Sequence, residues 1–330
     1  MVKKLSRILG FTAALSLIAA TALADPIKVG LILDRGGKDD KSFNTAAFKG
    51  ATEAKQKLGI QLKEIEASDD SVFEPAMKSF IKKKFDLIIA IGVNQAESVK
   101  KVARDHPEAH IAVVDAPVDA PNVKALMFQE HEGSYLVGAI AAMKSKTGII
   151  GFIGGMDIPL IRRFQVAYEQ GAKSVNPKIT VLTNYTGVTS EAWNNPTKGK
   201  ELAITQYGRG ADVIFAAAGN TNNGVFDAAE KAGKFAIGCD SNQNWIKPGL
   251  MLTSMVKRVD LAVYQAIEEA SLGHFTPGIK YHGLKDQGID WALDEHNAKL
   301  FSKEDLSKID ALKKRIISGN VRVRDYYTNR

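Results

Sequence analysis

Short apolar runs alternate with helix-spaced patterns along nearly the whole chain. Residues 28–33 are apolar after the first position and read as a strand buried on both faces. The segment that follows sets Phe43, Ala47, Ala51, Ala54 and Leu58 at spacings of three and four, the stripe of a helix packed along one side. Further strand signals fall at 61–65, 85–91, 110–114 and 124–128, with helical segments between most of them. The helix expected from 94 to 104 is closed by Pro107. Strand and helix in succession predict a parallel sheet covered by crossover helices.

A second series begins after an apolar helix expected at 130–143. Its strands are expected at 148–153, 179–183, 211–217, 235–239 and 251–255, again with helices between them, such as 223–232. Two half-chains with one pattern predict an α/β protein of two doubly wound, parallel-sheet lobes with ligand bound between them. The first lobe takes residues 25–128 plus about 258–280, and the second takes 129–257 plus about 281–330. A helix at 259–272 completes the first and a strand at 288–293 the second. No Pro/Gly/Ser-rich stretch marks the boundary near 128–132, which predicts hinge strands rather than a floppy tether.

The first 24 residues follow a different pattern. Lys3, Lys4 and Arg7 precede an apolar core from 8 to 20, and Ala22-Leu23-Ala24 offers a small-x-small cleavage site, so a cleaved signal peptide is expected at 1–24. That core is shorter than the roughly 20 residues of a spanning helix and no later stretch reaches that length, so a soluble periplasmic protein is expected. The one cysteine, Cys239, is far from the cleavage point, which leaves no thiol there for a lipid anchor and no partner for a disulfide. The net charge of +7 includes the three basic residues of the leader, and the mild remainder is scattered. Lys82-Lys83-Lys84 and Lys313-Lys314-Arg315 fit solvated helix faces, and no zinc finger or basic aromatic stripe points to nucleic acid.

Candidate chemistry sits at the ends of the apolar runs. Asp34, Asp115 and Asp240 directly follow runs ending at Leu33, Val114 and Cys239. Ligands of such sheets bind outside the carboxyl ends of the strands. Three acceptor-only carboxylates there suit a ligand rich in hydroxyl or N–H donors, while an aspartate that merely caps the next helix is the plain alternative for each. Other signals carry less. Gly151–Gly155 resembles a phosphate loop without the Lys-Ser/Thr or the dinucleotide spacing, and Ser42, Ser134 and Ser254 lack a nucleophile-elbow context. Asp39-Asp40, Asp69-Asp70 and the six histidines show no metal-ligand spacing, so neither a metal nor a cofactor is expected.

Six blocks carry a more specific resemblance. Gly36-Gly37-Lys38-Asp39-Asp40-Lys41-Ser42-Phe43-Asn44 opens the helix that contains Gly50. Gln129-Glu130-His131-Glu132-Gly133 with Leu136 and Gly138 comes next, then Gly151-Phe152-Ile153-Gly154-Gly155. Pro196-Thr197-Lys198-Gly199-Lys200-Glu201-Leu202-Ala203, Gly238-Cys239-Asp240-Ser241-Asn242-Gln243 and Ser254-Met255-Val256-Lys257-Arg258-Val259-Asp260 complete the set. In this order they resemble the basic membrane protein family, the purine nucleoside receptor type of substrate-binding protein that serves ABC transporters.

The resemblance implies a type I periplasmic-binding-protein fold with three interlobe crossovers, and it implies a pocket. Asp34, Asn44 and Asp115 would read the base, Phe43 would cover one of its faces, and Asp240 with Lys257 would hold the ribose. The second aromatic would be Trp193, in a Trp193-Asn194-Asn195-Pro196 context where family members more often carry Phe followed by Asp-Pro; Phe226 is the reserve candidate. Gly219 would allow close backbone approach to the sugar or serve as a strand-end turn. A purine offers two flat faces and a hydrogen-bonding edge, so a pair of aromatics and a few carboxylate or amide groups suit it. The expected function is therefore capture of a purine nucleoside (adenosine, guanosine or inosine) by a monomeric, non-enzymatic protein that delivers it to an inner-membrane ABC permease. A sugar or other small ligand is the alternative reading, and an exported nucleoside hydrolase a more distant one.

Overall fold

In the computed structural model, which describes residues 25–328, the alternation of apolar runs and helical stripes becomes two six-stranded sheets. The expected signal peptide, 1–24, lies outside the described residues. The first sheet holds β1 (Lys28–Leu33), β2 (Gln61–Glu66), β3 (Leu87–Ile91), β4 (Ile111–Val114), β5 (Val123–Phe128) and β11 (Gly278–His282). They lie all parallel in the order β2-β1-β3-β4-β5-β11. The second holds β6 (Ile149–Met156), β7 (Thr180–Gly187), β8 (Val213–Ala217), β9 (Phe235–Asp240), β10 (Met251–Lys257) and β12 (Ile289–Trp291), in the order β7-β6-β8-β9-β10-β12. Here β12 runs antiparallel to β10 and the others are parallel. One strand order thus occurs twice, with the switch point between β1 and β3 in one sheet and between β6 and β8 in the other.

The connecting helices are α1 (Phe43–Leu58), α2 (Phe73–Lys82), α3 (Ala96–Asp105), α4 (Glu130–Lys144), α5 (Pro159–Val175), α6 (Pro196–Gly208), α7 (Asn222–Ala232), α8 (Val259–Ser271) and α9 (Lys303–Ile317). Helix α4 is buried on nearly every side, as its almost continuous apolar composition requires. Its backbone meets that of α5 directly: a Cβ on Gly138 would lie 2.1 Å from the Tyr168 carbonyl oxygen, and one on Gly171 would lie 1.9 Å from that of Tyr135. Helix α8 packs on α1. Among the described residues no helix is long and apolar enough to cross a membrane.

Element edges differ from expectation for identifiable reasons. β7 continues to Gly187 rather than stopping at 183, because this half-buried edge strand mixes polar and apolar residues and presents no long apolar run. β3 starts at Leu87, since Lys84 takes a positive φ of 55° and the Phe85 N–H bonds back to the Phe80 carbonyl. The last strand shrinks from 288–293 to Ile289–Trp291.

The chain passes between the sheets after β5, after β10 and after β11. These three crossings are bonded to one another. Gln129 N–H donates to the His282 carbonyl at 2.7 Å, Arg258 N–H to that of Gly288 at 2.8 Å, and Leu284 N–H to Glu132 Oε2 at 2.7 Å.

Candidate functional site

Strand carboxyl ends supply the polar side chains of one cavity. Asp34 follows β1, Asp115 follows β4, Asp240 ends β9 and Lys257 ends β10. Asp115 and Asp240 both take the left-handed backbone, at φ 66° and 65°, a region that aspartate enters more readily than most residues with a Cβ. Each turn carries some backbone strain. Gly92 after β3 and Gly219 after β8 take φ of 111° and 59°. A Cβ on Gly92 would meet Asp34 Oδ2 at 2.5 Å, and one on Gly219 would meet the Trp193 carbonyl at 3.1 Å. The cavity between the lobes, lined by these residues with Phe43, Asn44 and Trp193, encloses about 560 Å³ with the open solvent at its mouth included.

Lys257 is the hub of the first polar group. Its Nζ lies 2.5 Å from Asp115 Oδ2, 3.6 Å from Glu130 Oε1 and 3.7 Å from Asp240 Oδ1, and 4.9 Å from the centre of the Phe43 ring. Burial opposes the ammonium charge, yet Asp115, Asp240 and Glu130 together outweigh it and raise the Lys257 pKa. Burial also lifts Asp115, Asp240 and Glu130, against the pull of Lys257. Asp115 and Asp240 share the Lys257 ammonium with Glu130, so the group facing the cavity favours a ligand that brings hydrogen-bond donors. Asp115 Oδ1 is buried and accepts no hydrogen bond among the described residues. Asp240 Oδ2 accepts from the Ser42 hydroxyl of the opposite lobe at 2.9 Å.

Asp34 belongs to a second group. Its Oδ1 accepts from the Arg35 N–H at 2.8 Å and its Oδ2 from Asn94 Nδ2 at 3.1 Å; burial nevertheless pushes its pKa up to about 7. Asn44 lines the cavity with its amide already committed. The Oδ1 accepts from Asp34 N–H at 2.9 Å, while Nδ2 donates to the Arg35 carbonyl and to Asp40 Oδ2, each at 3.1 Å. Asp40 in turn accepts from the N–H groups of Ser42, Asn44 and Thr45, capping the start of α1.

The aromatics come from both lobes. Phe43 opens α1, and Trp193 sits on the 3-10 turn Ser190–Asn194 between β7 and α6. The indole lies directly on β6: a Cβ on Gly155 would be 2.0 Å from its ring. Trp193 Nε1 is buried and donates to no acceptor among the described residues. Phe226 does not line the cavity. It is fully buried on the stripe of α7 that packs on the second sheet, against residues such as Ile153, Ile214 and Val225, so the reserve aromatic falls to the core.

Sequence reasoning passed over several contributors. Leu160, Ile161 and Phe164 of α5 form an apolar wall, and they could have been found as the first turns of the helix that leaves β6. Gly92 and Asn94 follow an apolar run in the same way as Asp34 does. Glu130 is fully buried at the head of α4, a carboxylate at the start of a largely buried helix.

The model of the Bmp family, described as ABC transporter substrate-binding protein PnrA-like, matches residues 27–326. The chain belongs to this family. The CD4+ T-cell-stimulating antigen of Listeria monocytogenes is 31% identical over 319 residues, covering 89% of this chain and 87% of that protein. The ABC transporter nucleoside-binding protein BmpA of Lactococcus lactis is 31% identical over 320 residues, 90% and 89% of the two chains. A crystal structure of an ABC transporter system solute-binding protein from Aeropyrum pernix shares the fold with a TM-score of 0.82 at 30% identity, covering 90% of this chain and 93% of that one. This Bmp-family member is thus an ABC-transporter substrate-binding protein with the type I periplasmic-binding fold.

Proposed function

We propose that the protein is exported to the periplasm, captures a purine nucleoside between its lobes without transforming it, and hands it to an ABC importer in the inner membrane. The observation that carries this reading is the pairing of Phe43 and Trp193, one from each lobe, on a single cavity whose polar ends are Asp34 and the Asp115–Lys257–Asp240 group. Two aromatic walls suit the faces of a base, and Asp34 suits donors on its edge. Asp240 accepts from vicinal hydroxyls while Lys257 donates to one of them. Asn44 serves by holding the backbone of Asp34 rather than by touching the base. The nucleoside-binding name of the Lactococcus relative supports the same ligand class.

Calorimetric titration tests it. Adenosine, guanosine or inosine should bind, and the matching free base should bind at least about tenfold more weakly, because a buried carboxylate left without its donors costs roughly 1–3 kcal/mol. The 5′-monophosphate should be disfavoured by the carboxylates around Lys257. Equal affinity for base and nucleoside would take the ribose role from Asp240 and Lys257, and tight nucleotide binding would overturn the nucleoside reading.

A further inference from the structure

Arg163 is a buried guanidinium on the helix that walls the cavity, and it is not itself part of the cavity lining. Nη1 donates to the Phe128 carbonyl and to Glu130 Oε2, the latter at 2.7 Å. On its other side Nε and Nη2 donate to the two carboxylate oxygens of Asp325 at 2.7 and 3.0 Å, and the Tyr327 ring lies 4.9 Å away. Asp325 belongs to the segment beyond α9, which returns along α5 through two bonds to Gln170 and packs Val321 and Val323 against the core.

Phe128 and Glu130 flank the first crossing between the sheets. Glu130 divides its two oxygens: Oε2 meets Arg163, and Oε1, which accepts no hydrogen bond among the described residues, faces Lys257 Nζ at 3.6 Å. Charge therefore alternates along one line, from Asp325 through Arg163, Glu130 and Lys257 to Asp115 and Asp240.

We propose that Asp325 is a positioning residue for the binding ammonium of Lys257, acting through Arg163 and Glu130 from a tail that does not itself reach the cavity. That Lys257 contacts ligand rests on the nucleoside reading above. The physical reason is that each buried charge in the line is oriented by the two beside it. Without Asp325, Arg163 retains one carboxylate partner. It then draws both oxygens of Glu130, and Glu130 Oε1 leaves Lys257. The ammonium is left to Asp115 and Asp240 and gains freedom to move.

The test is acetylation of the ligand-free protein with an N-hydroxysuccinimide ester of acetate, followed by mass spectrometry. The rate at buried Lys257 is read against that at exposed Lys308 on α9. Lys257 should be nearly silent in the wild type, react at least about threefold faster in Asp325→Ala, and return toward silence in Asp325→Glu. Val323→Ala loosens the same tail without removing a charge and should leave Lys257 silent. Equal Lys257 rates in wild type and Asp325→Ala overturn the proposal, and so does an equal rise in Val323→Ala, which would mean simple tail docking. Should Asp325→Ala not fold, the near-isosteric Asp325→Asn carries the same comparison. Calorimetry with adenosine should in addition show binding weakened about tenfold in Asp325→Ala. Absence of binding by the wild type would count against the nucleoside reading, while the acetylation rates would still decide the role of Asp325.

Discussion

Asp34 carries its charge where burial resists it, and the consequence is a pH dependence with a definite sign. Its pKa in the folded protein is raised to about 7 from an ordinary 3.8. Below the lower value Asp34 is protonated in both the folded and the unfolded chain. Between the two values the unfolded chain releases its proton while the folded one keeps it, so stability declines as pH rises across that window. Above about 7 the loss is complete. A displacement of this size corresponds to roughly 4 kcal/mol. Asp34→Asn keeps an acceptor for the Arg35 N–H and removes the ionisation, so at pH 8 the variant should be the more stable by a few kcal/mol and at pH 4 the two should converge. Chemical denaturation at the two pH values checks this. Parallel profiles for the two proteins would mean that Asp34 is ionised at little cost and that its surroundings are wetter than the structure shows.

At the scale of elements, the strand ends were legible and the wall opposite them was not. Asp34 and Asp115 after β1 and β4, and Asp240 at the end of β9, were marked by apolar runs that stop at an aspartate, and the sheet order places all three on the cavity. The central strands of both sheets were legible for the same reason, because buried parallel strands are apolar throughout, whereas the half-polar edge strand β11 was not expected. Trp193 was harder to place. It stands on a 3-10 turn with no periodicity of its own, and what holds it is the bare backbone of Gly155 on a neighbouring strand. Phe226 was the reserve candidate in the sequence, but helical spacing with Val225, Ala228 and Ala229 turns it to the core. Glu130 and Arg163 could not be paired from sequence, since nothing local announces a contact between residues on α4 and α5.

The Gly155–Trp193 contact gives a prediction about the element rather than the ring. Gly155→Ala should leave β6 intact and displace the indole, so it should cost about as much nucleoside affinity as Trp193→Ala, on the order of 1–3 kcal/mol. The two changes remove one stacking surface, so the double variant should bind like either single one. Calorimetry on the three proteins, with melting temperatures to confirm folding, tests the set. Wild-type affinity in Gly155→Ala would remove Trp193 from the base.

For the whole molecule, the decisive relation is the one between the lobes. The loop before α1 is clasped by the loop after β9: Ser241 Oγ donates to the Ser42 carbonyl at 2.7 Å and Gln243 Nε2 to the Lys41 carbonyl at 2.9 Å. With Lys257 joined to Asp115 and Arg35 Nη1 lying 3.8 Å from Glu191, these contacts close the cavity around Asp115 and Asp240, both largely shielded from solvent. A ligand can enter only if they open. The crossings near 128–132 and 255–258 are the segments about which we expect the lobes to turn, as in other proteins that close around a ligand. Ligand that touches both lobes binds the closed form better and shifts the population toward it. Small-angle scattering should therefore show a smaller radius of gyration with saturating nucleoside than without. Gln243→Ala weakens the clasp without touching the cavity, so it should lower affinity modestly and leave the radius of the ligand-free protein unchanged. A radius that stays the same on addition of nucleoside, with binding established by calorimetry, would mean that the clasp persists without ligand and that entry occurs through local movement of the loops.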